Sequence, residues 1–526
     1  MPSGLPRTAH TPAAREGAAC LGVLIVLTLV TFLPHLVNGG FYSDDWSIGA
    51  DAHFEKPTYF GAVRKTFHVT GGRPVLAALF PLPHVLFPQS PTAQIAIGLA
   101  LAIVTCLCFF VLLRMLGLRT VSATIVASLA LVFPWADSVR LWPTASITTV
   151  AVAFCFLGVI AALAAFGRSG RRSILLHAVS VILYAASILA YQTAGLAELL
   201  LVVVYVAHAP LRSALRRWGV DVVVIVAALG WSANATRHVR HVASPHQMLS
   251  DVPAFVHQGV VLFADALLAF PGADAHPVLE AAVLVIVVLG LAAALVRARR
   301  GERAERQWLL VAAASVVLLV VADVILLGSF LHPLDHGIDN RANLLATYAY
   351  APLVYACVMV LASLIRHPRA SAIGVACVCV IGVGWVLRVR SDERHWERSA
   401  ALQKTTLAAI ARELPVLPRH SSIVAVSFPG QTAPEVPVFD ETWDLSGALE
   451  LKRNDRSLEA FPVFSDGTLS CRPRALVAVA PGSFGRQELP YGSLYFVSSD
   501  DHARIRTRGE CRHALVEFPR GPRLPR

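Results

Sequence analysis

The sequence predicts an α-helical polytopic membrane protein: about eleven transmembrane helices, a long first outside loop with interfacial helices, and then a small extracytoplasmic α/β domain. Three observations predict it. The 526 residues are 56% hydrophobic and only 15% charged, where a soluble chain carries about a quarter charged residues. Many windows run about 20 residues without a charge, enough to cross a hydrocarbon core of about 30 Å. Basic residues gather in short clusters at alternate links between these windows, which is topological information.

The apolar runs fall at 18–37, 92–113, 120–134, 145–166, 173–191, 194–209, 219–235, 277–296, 308–328, 344–365 and 370–388. The first, from Gly17 to Val37, is too long for a signal-peptide core and lacks an Ala-x-Ala cleavage site, so it reads as a retained span. With Arg7 and Arg15 inside, every even-numbered span ends in an inside cluster. These clusters are Arg114 and Arg119; Arg168, Arg171 and Arg172; Arg212, Arg216 and Arg217; Arg297, Arg299, Arg300, Arg303 and Arg306; and Arg366 and Arg369. The outside links after the first loop hold only Arg140, Arg237, Arg240 and Arg341. Basic residues near span ends stay on the cytoplasmic side, so the N-terminus is expected in the cytoplasm and, with an odd span count, the C-terminal domain outside it. The net charge of +11 is thereby a topology signal, and no nucleic-acid partner is expected. Arginine outnumbers lysine and alanine is abundant, as in proteins of GC-rich bacteria. The expected location is a bacterial plasma (inner) membrane.

Four outside segments are long enough to build something: 38–91, 135–144, 236–276 and 329–343. In the first, "GGRPVLAALFPLPHVLFP" is broken by Pro74, Pro81, Pro83 and Pro88, which argues for interfacial helices and against a straight span. "VPAFVHQGVVLFADALLAF" (252–270) carries Asp265. Counting it as a span would put the basic cluster 297–306 outside, so it is read as interfacial or re-entrant. The domains are then 1–388, transmembrane, and 389–526, soluble. In the second, "ERHWERSAALQKTTLAAIARELP" reads as an amphipathic helix, and "SSIVAVSF", "RALVAVAP", "SLYFVSS" and "HALVEF" read as strands. Seven of the nine cysteines lie in apolar runs as small hydrophobes. Cys471 and Cys511 lie in the polar tail and would pair as a disulfide outside the cytoplasm.

The stretch that asks for chemistry is "FYSDDWSIGADAHF" (41–54), which sets Asp44 and Asp45 at the mouth of the first span. On a helix neighbours point about 100° apart, and on a strand they point to opposite faces, so the two carboxylates are not expected to act as one bidentate unit unless both bind a metal. One could face a site while the other anchors the local backbone. A plain helix-capping role for Ser43, Asp44 or Asp45 is the structural alternative. Acids at a membrane mouth are costly to desolvate, and the same loop supplies Arg64, Lys65, His68 and Arg73.

A first span, then "SDDW" in a long outside loop with interfacial helices, then many spans and an outside C-terminal domain, resembles the lipid-linked-sugar glycosyltransferases of the C superfamily. Protein mannosyltransferases, aminoarabinose transferases and bacterial surface-polymer glycosyltransferases belong to it. The superfamily carries an acidic pair in the first outside loop, which Asp44 and Asp45 match, and "GRP" (72–74) is similar to a pattern of bacterial members. The resemblance covers roughly the first 390 residues and implies a polyprenyl-phosphate sugar donor, a glycan, lipid or protein acceptor, and contact with membrane lipids. It implies Asp44 as the base that takes the acceptor's proton, with Asp45 the alternate. Donor phosphate would be met by Arg73, with Lys65 and Arg341 as further cations.

Other candidates line up with a substrate cavity. "YQTAGLAE" joins spans five and six with Tyr191, Gln192 and the intramembrane Glu198. "HPLDHGIDNR" (332–341) spaces His332, Asp335, His336 and Asp339 by three and four. On a helix that is one face suited to a divalent metal. Pro333 and Gly337 favour a loop instead, a polar lip with His336 and Asp339 over the cavity. No cofactor is otherwise implied. "RHVRHVASPH" (237–246) is a basic patch suited to anionic lipid or phosphate. The chain has no Walker A motif, dinucleotide fingerprint, His-Glu-x-x-His or Gly-x-Ser-x-Gly. The rival reading is a secondary transporter or flippase of a lipid-linked or polar substrate, though no internal duplication supports it.

Overall fold

A computed structural model describes residues 13–55, 58–236, 244–269, 277–300, 303–327, 332–365, 367–463, 468–479 and 486–518. The chain is a bundle of apolar helices with a small strand-bearing domain at one end. Among the described residues ten helices are long and apolar enough to cross a membrane, beginning with Ala14–Asn38 and ending with Ala370–Glu413. Of the eleven expected runs, two take another form. Residues 120–134 give the 12-residue helix Thr120–Leu131, about 18 Å long at 1.5 Å per residue. Residues 194–209 are broken into Gly195–Leu199 and Leu201–His208.

The segment read as interfacial or re-entrant is a 24-residue helix, Pro245–Leu268, long and apolar enough to span. Its neighbours place it nonetheless in the half of the bundle nearer the domain. Its preceding helix ends beside Gly72 of the first loop, through Ala235 and the Trp231 indole. Its following helix, Pro277–Arg299, carries Arg297 in its last turn, where it donates to Ser363 O at the far end of Thr347–Leu364. Both flanks of Pro245–Leu268 therefore lie at the domain end. Its own contacts agree: Phe255 packs on His332, and Gly259 O accepts from the Tyr350 hydroxyl near the start of its helix.

The proline-broken loop folds as short helices, Asp44–Phe54, Tyr59–Val69, Pro74–Leu79 and Pro81–Leu86, with Pro74 and Pro81 each in the first turn. There a missing N–H costs nothing. Residues 370–413 form one 44-residue helix, unbroken at 388/389. Its N-terminal half packs in the bundle and its C-terminal half puts Leu407 and Ile410 into the core of the small domain. The two parts thus share an element.

The domain has a four-stranded sheet in the order 459–462, 422–425, 494–497 and 502–505, the first three strands parallel and the last antiparallel. A separate antiparallel sheet joins 468–471, 475–479 and 486–490, and a hairpin joins Gln431–Ala433 to Val436–Pro437. Cys471 and Cys511 form a disulfide with a Cα–Cα distance of 6.0 Å. "HALVEF" is not a strand. Residues Arg508–Glu517 are a helix capped by Thr507, whose hydroxyl accepts from Glu510 N–H. Its buried Cys511 and Ala514, with Phe518 after it, recur at three and four, a helical period. The alternation over six residues was too short to show it.

Candidate active site

The first span ends at Asn38 and the chain turns before Asp44–Phe54 begins. Ser43 sits at φ +42° in this turn, a strained conformation that persists only where its surroundings over-determine it. They do. The Tyr42 hydroxyl accepts from Gly40 N–H at 3.1 Å and donates to Trp396 O at 3.0 Å. Tyr42 N–H donates to one carboxyl oxygen of Asp45 at 2.8 Å. The other oxygen accepts from the Thr144 N–H at 2.8 Å and from its hydroxyl at 2.5 Å. Asp45 is fully buried. Burial pushes it up to about 7, against the donors of Thr144 and Tyr42, and the charge of Asp44 adds to the rise.

Asp44 points elsewhere, as the step between helical neighbours requires. Half-buried, it accepts from the Trp443 indole N–H at 3.0 Å, a contact from the C-terminal domain. Asp440 and Glu441 lie close by. Each is pushed up, to about 7 and about 8, by burial first; for both, the charge of Asp44 contributes. Asp45 is therefore a strut between the first span and the link 143–147, and Asp44 is the carboxylate turned toward the domain.

The link between the third and fourth apolar runs completes the surroundings. Trp142, two residues from Thr144, lies under the Arg341 guanidinium, 5.1 Å from its ring centre. Arg341 also faces Asp339 at 3.5 Å and keeps partial exposure. Asn340 ties the same two segments together. Its amide donates to Asp137 at 2.6 Å, and its carbonyl accepts from Ser138 N–H at 3.1 Å. Burial raises Asp137 to about 8, and Asp392 reinforces the rise. Arg140, buried, spends its guanidinium on the carbonyls of Ala136 and Ala130.

The stretch 332–341 is a loop followed by the 3-10 turn Ile338–Leu344. The face expected from a helix is absent because Gly337, at φ +64°, turns the chain. His332 packs on Phe255, while His336 and Asp335 pair with each other at 2.5 Å. Burial alone would raise Asp335, but the hydrogen bond and charge of His336 outweigh it, and the same bond raises His336. Among the described residues no group of three or more His, Cys, Asp or Glu side chains is placed to hold a metal ion. The domain's hairpin locks this loop: Ile338 N–H donates to Glu435 O at 2.7 Å. A Cβ on Gly337 would fall 2.4 Å from that same oxygen.

The remaining candidates lie on other elements. Arg73 is buried at the start of Pro74–Leu79 with its guanidinium 4.8 Å above the Tyr191 ring. Lys65 is exposed on Tyr59–Val69, and Gln192 is half-buried in a 3-10 turn. Glu198 is fully buried, with Ser187 and Cys155 beside its carboxyl. Most of the patch 237–246 lies outside the described residues.

Sequence reasoning missed Thr144, Trp142, Glu435 and Trp443. "PWADSVRLWPT" offered a signal, since two tryptophans, an acid and a base stand in one short link. "DETWD" offered another, since three acids flank a tryptophan. The buried Asp221 was missed as well; it accepts from the Tyr205 hydroxyl at 2.8 Å and faces His177 at 3.6 Å.

No family model matches the chain, and no curated protein does. Solved structures that are similar include that of ArnT from Cupriavidus metallidurans in the apo state. It aligns with 84% of this chain and 89% of its own, at 14% identity and a TM-score of 0.33.

Proposed function

We propose that this chain is a glycosyltransferase of a bacterial inner membrane. It moves a sugar from a polyprenyl-phosphate-linked donor to an extracytoplasmic acceptor: a cell-envelope glycan, a lipid or a protein. The N-terminus is cytoplasmic, and the domain end of the bundle faces outward. The observation that carries the reading is the division of labour in the acidic pair. Asp45 is committed to Tyr42 and Thr144, while its neighbour Asp44 is presented at the mouth of the first span, under a folded domain. The inside arginine clusters support the orientation.

In this mechanism the Asp44 carboxylate takes the proton of the acceptor hydroxyl as that oxygen bonds to the anomeric carbon. The bond from that carbon to the donor's phosphate oxygen breaks, and the lipid phosphate leaves with the electron pair. Arg341, held by Trp142 and Asp339, and Arg73, held over Tyr191, are the cations that meet the growing charge.

The test is purified protein in nanodiscs with a panel of polyprenyl-phosphate sugars and envelope extract, read as release of free polyprenyl phosphate. Asp44→Asn should keep the fold and lower release by about 100-fold or more, the usual worth of a positioned general base. Release by Asp44→Asn at the wild-type rate would overturn the assignment of the base.

A further inference from the structure

The C-terminal domain is not merely beside the candidate site. Its helix Thr442–Arg453 lies along Asp44–Phe54 in a register fixed at several points. At the leading end Trp443 meets Asp44. One turn on, Gly447 touches the backbone of Trp46 and Ser47, so closely that an added Cβ would lie 2.7 Å from Trp46 C and O. At the trailing end Asn454 lies 2.9 Å from His53, and Arg456 pairs with Asp51 at 2.7 Å. Between these points Leu445, Ala448 and Leu449 pack into one core with Phe41, Trp46 and Ala50. The helix start is held as well: the buried Asp444 carboxyl accepts from Asp440 N–H at 3.0 Å and Glu441 N–H at 3.2 Å.

A tryptophan fixed in this way has little freedom to leave its carboxylate. Its N–H can only donate, so it aligns one oxygen of Asp44. We infer that Trp443 is a positioning residue for Asp44, and that the C-terminal domain thereby completes the active site from the other end of the chain. The inference rests on the glycosyltransferase reading for its catalytic meaning, but its structural core is testable without any donor. Among the described residues, the groups facing Asp44 include Asp45 on its own helix and Asp440, Glu441 and Trp443 from the domain.

The experiment uses the full-length protein in nanodiscs with its nine tryptophans labelled with ¹⁵N at the indole. Spectra are taken from pH 4 to pH 9. The indole resonance that disappears in Trp443→Phe should move with pH, because protonating its acceptor weakens the hydrogen bond. The movement should vanish in Asp44→Asn and persist in Glu441→Gln. The other eight indole resonances report whether each variant keeps its fold, and Trp443→Tyr supplies the assignment if Trp443→Phe disturbs them. A resonance that stays fixed across the range, or one that moves unchanged in Asp44→Asn, overturns the inference. If a donor is found, Trp443→Phe should lower kcat about tenfold or more with KM little changed. The acid limb of its pH–rate profile should move to higher pH, since a carboxylate that loses a donor holds its proton longer. A lower kcat with an unmoved limb would make Trp443 structural only. Failure to find any donor would count against the glycosyltransferase reading and leave the spectroscopic result standing.

Discussion

Replacing Asp45 by Asn separates two effects that the wild type combines. The amide oxygen can still accept from Thr144, but the amide nitrogen then faces the Tyr42 N–H, donor against donor. A buried N–H left without an acceptor costs about 1–3 kcal/mol. The opposite contribution comes from charge. The wild-type carboxyl is pushed by burial from 3.8 up to about 7. Between those values the native state holds a proton that the unfolded state has released, so native stability falls as pH rises. The gap is about three pH units at about 1.4 kcal/mol each, or about 4 kcal/mol lost by pH 8. Asparagine does not ionise and avoids that loss. Asp45→Asn should therefore be less stable than wild type at pH 4.5 and as stable or more stable at pH 8.5, the two crossing near about pH 5–6. The assay is the thermal unfolding midpoint in detergent at both pH values, each against wild type. A deficit of the same size at both would refute the reasoning, for it would mean that Asp45 is not the group whose burial is being relieved.

Two further outcomes follow from packing and covalent structure. Gly447→Val should push the domain helix off Asp44–Phe54, because the contacted atoms are Trp46 and Ser47 backbone and cannot yield; limited proteolysis should then release the C-terminal domain far faster than from wild type. Mass spectrometry of the unreduced tail should find the Cys471 and Cys511 peptides linked, and Cys511→Ser should destabilise the domain by about 4 kcal/mol, the closure entropy of a loop with 40 residues of separation. Two free alkylated thiols in protein from an oxidising compartment would dispose of that link.

The helical bundle was legible because uninterrupted apolar length is a strong, local signal, and the loop helices because proline punctuates them. What escaped was whatever depends on partners remote in sequence. Residues 120–134 and 194–209 are apolar enough to read as spans, yet composition does not encode where a helix stops inside a bundle. The acidic pair was singled out by position alone. That Asp45 is a strut and Asp44 is not depends on Thr144, 99 residues away, and Trp443, 399 residues away. Neither pairing leaves a periodic trace. The strand reading of "HALVEF" failed because six residues are too few to separate alternation from the three-and-four spacing of Cys511, Ala514 and Phe518.

Those long-range ties explain how a site assembled from loops can be held still. Loops are ordinarily the mobile part of a fold, and a base misplaced by about 1 Å loses much of its effect. Here each loop is fastened to something rigid. The turn before Asp44 is fastened to Trp396 on the 44-residue helix. The link 134–147 is fastened to Asp45 and Asn340. The loop before Arg341 is fastened to Glu435 of the domain's hairpin, and that hairpin returns to the same long helix through Thr432 and His395 O at 2.8 Å. The long helix is thus a common post for the bundle, the first loop and the domain. A domain carried on a flexible tether would leave Trp443 and Glu435 unable to act on loops of the bundle. One carried on an unbroken helix can do so without any further closure.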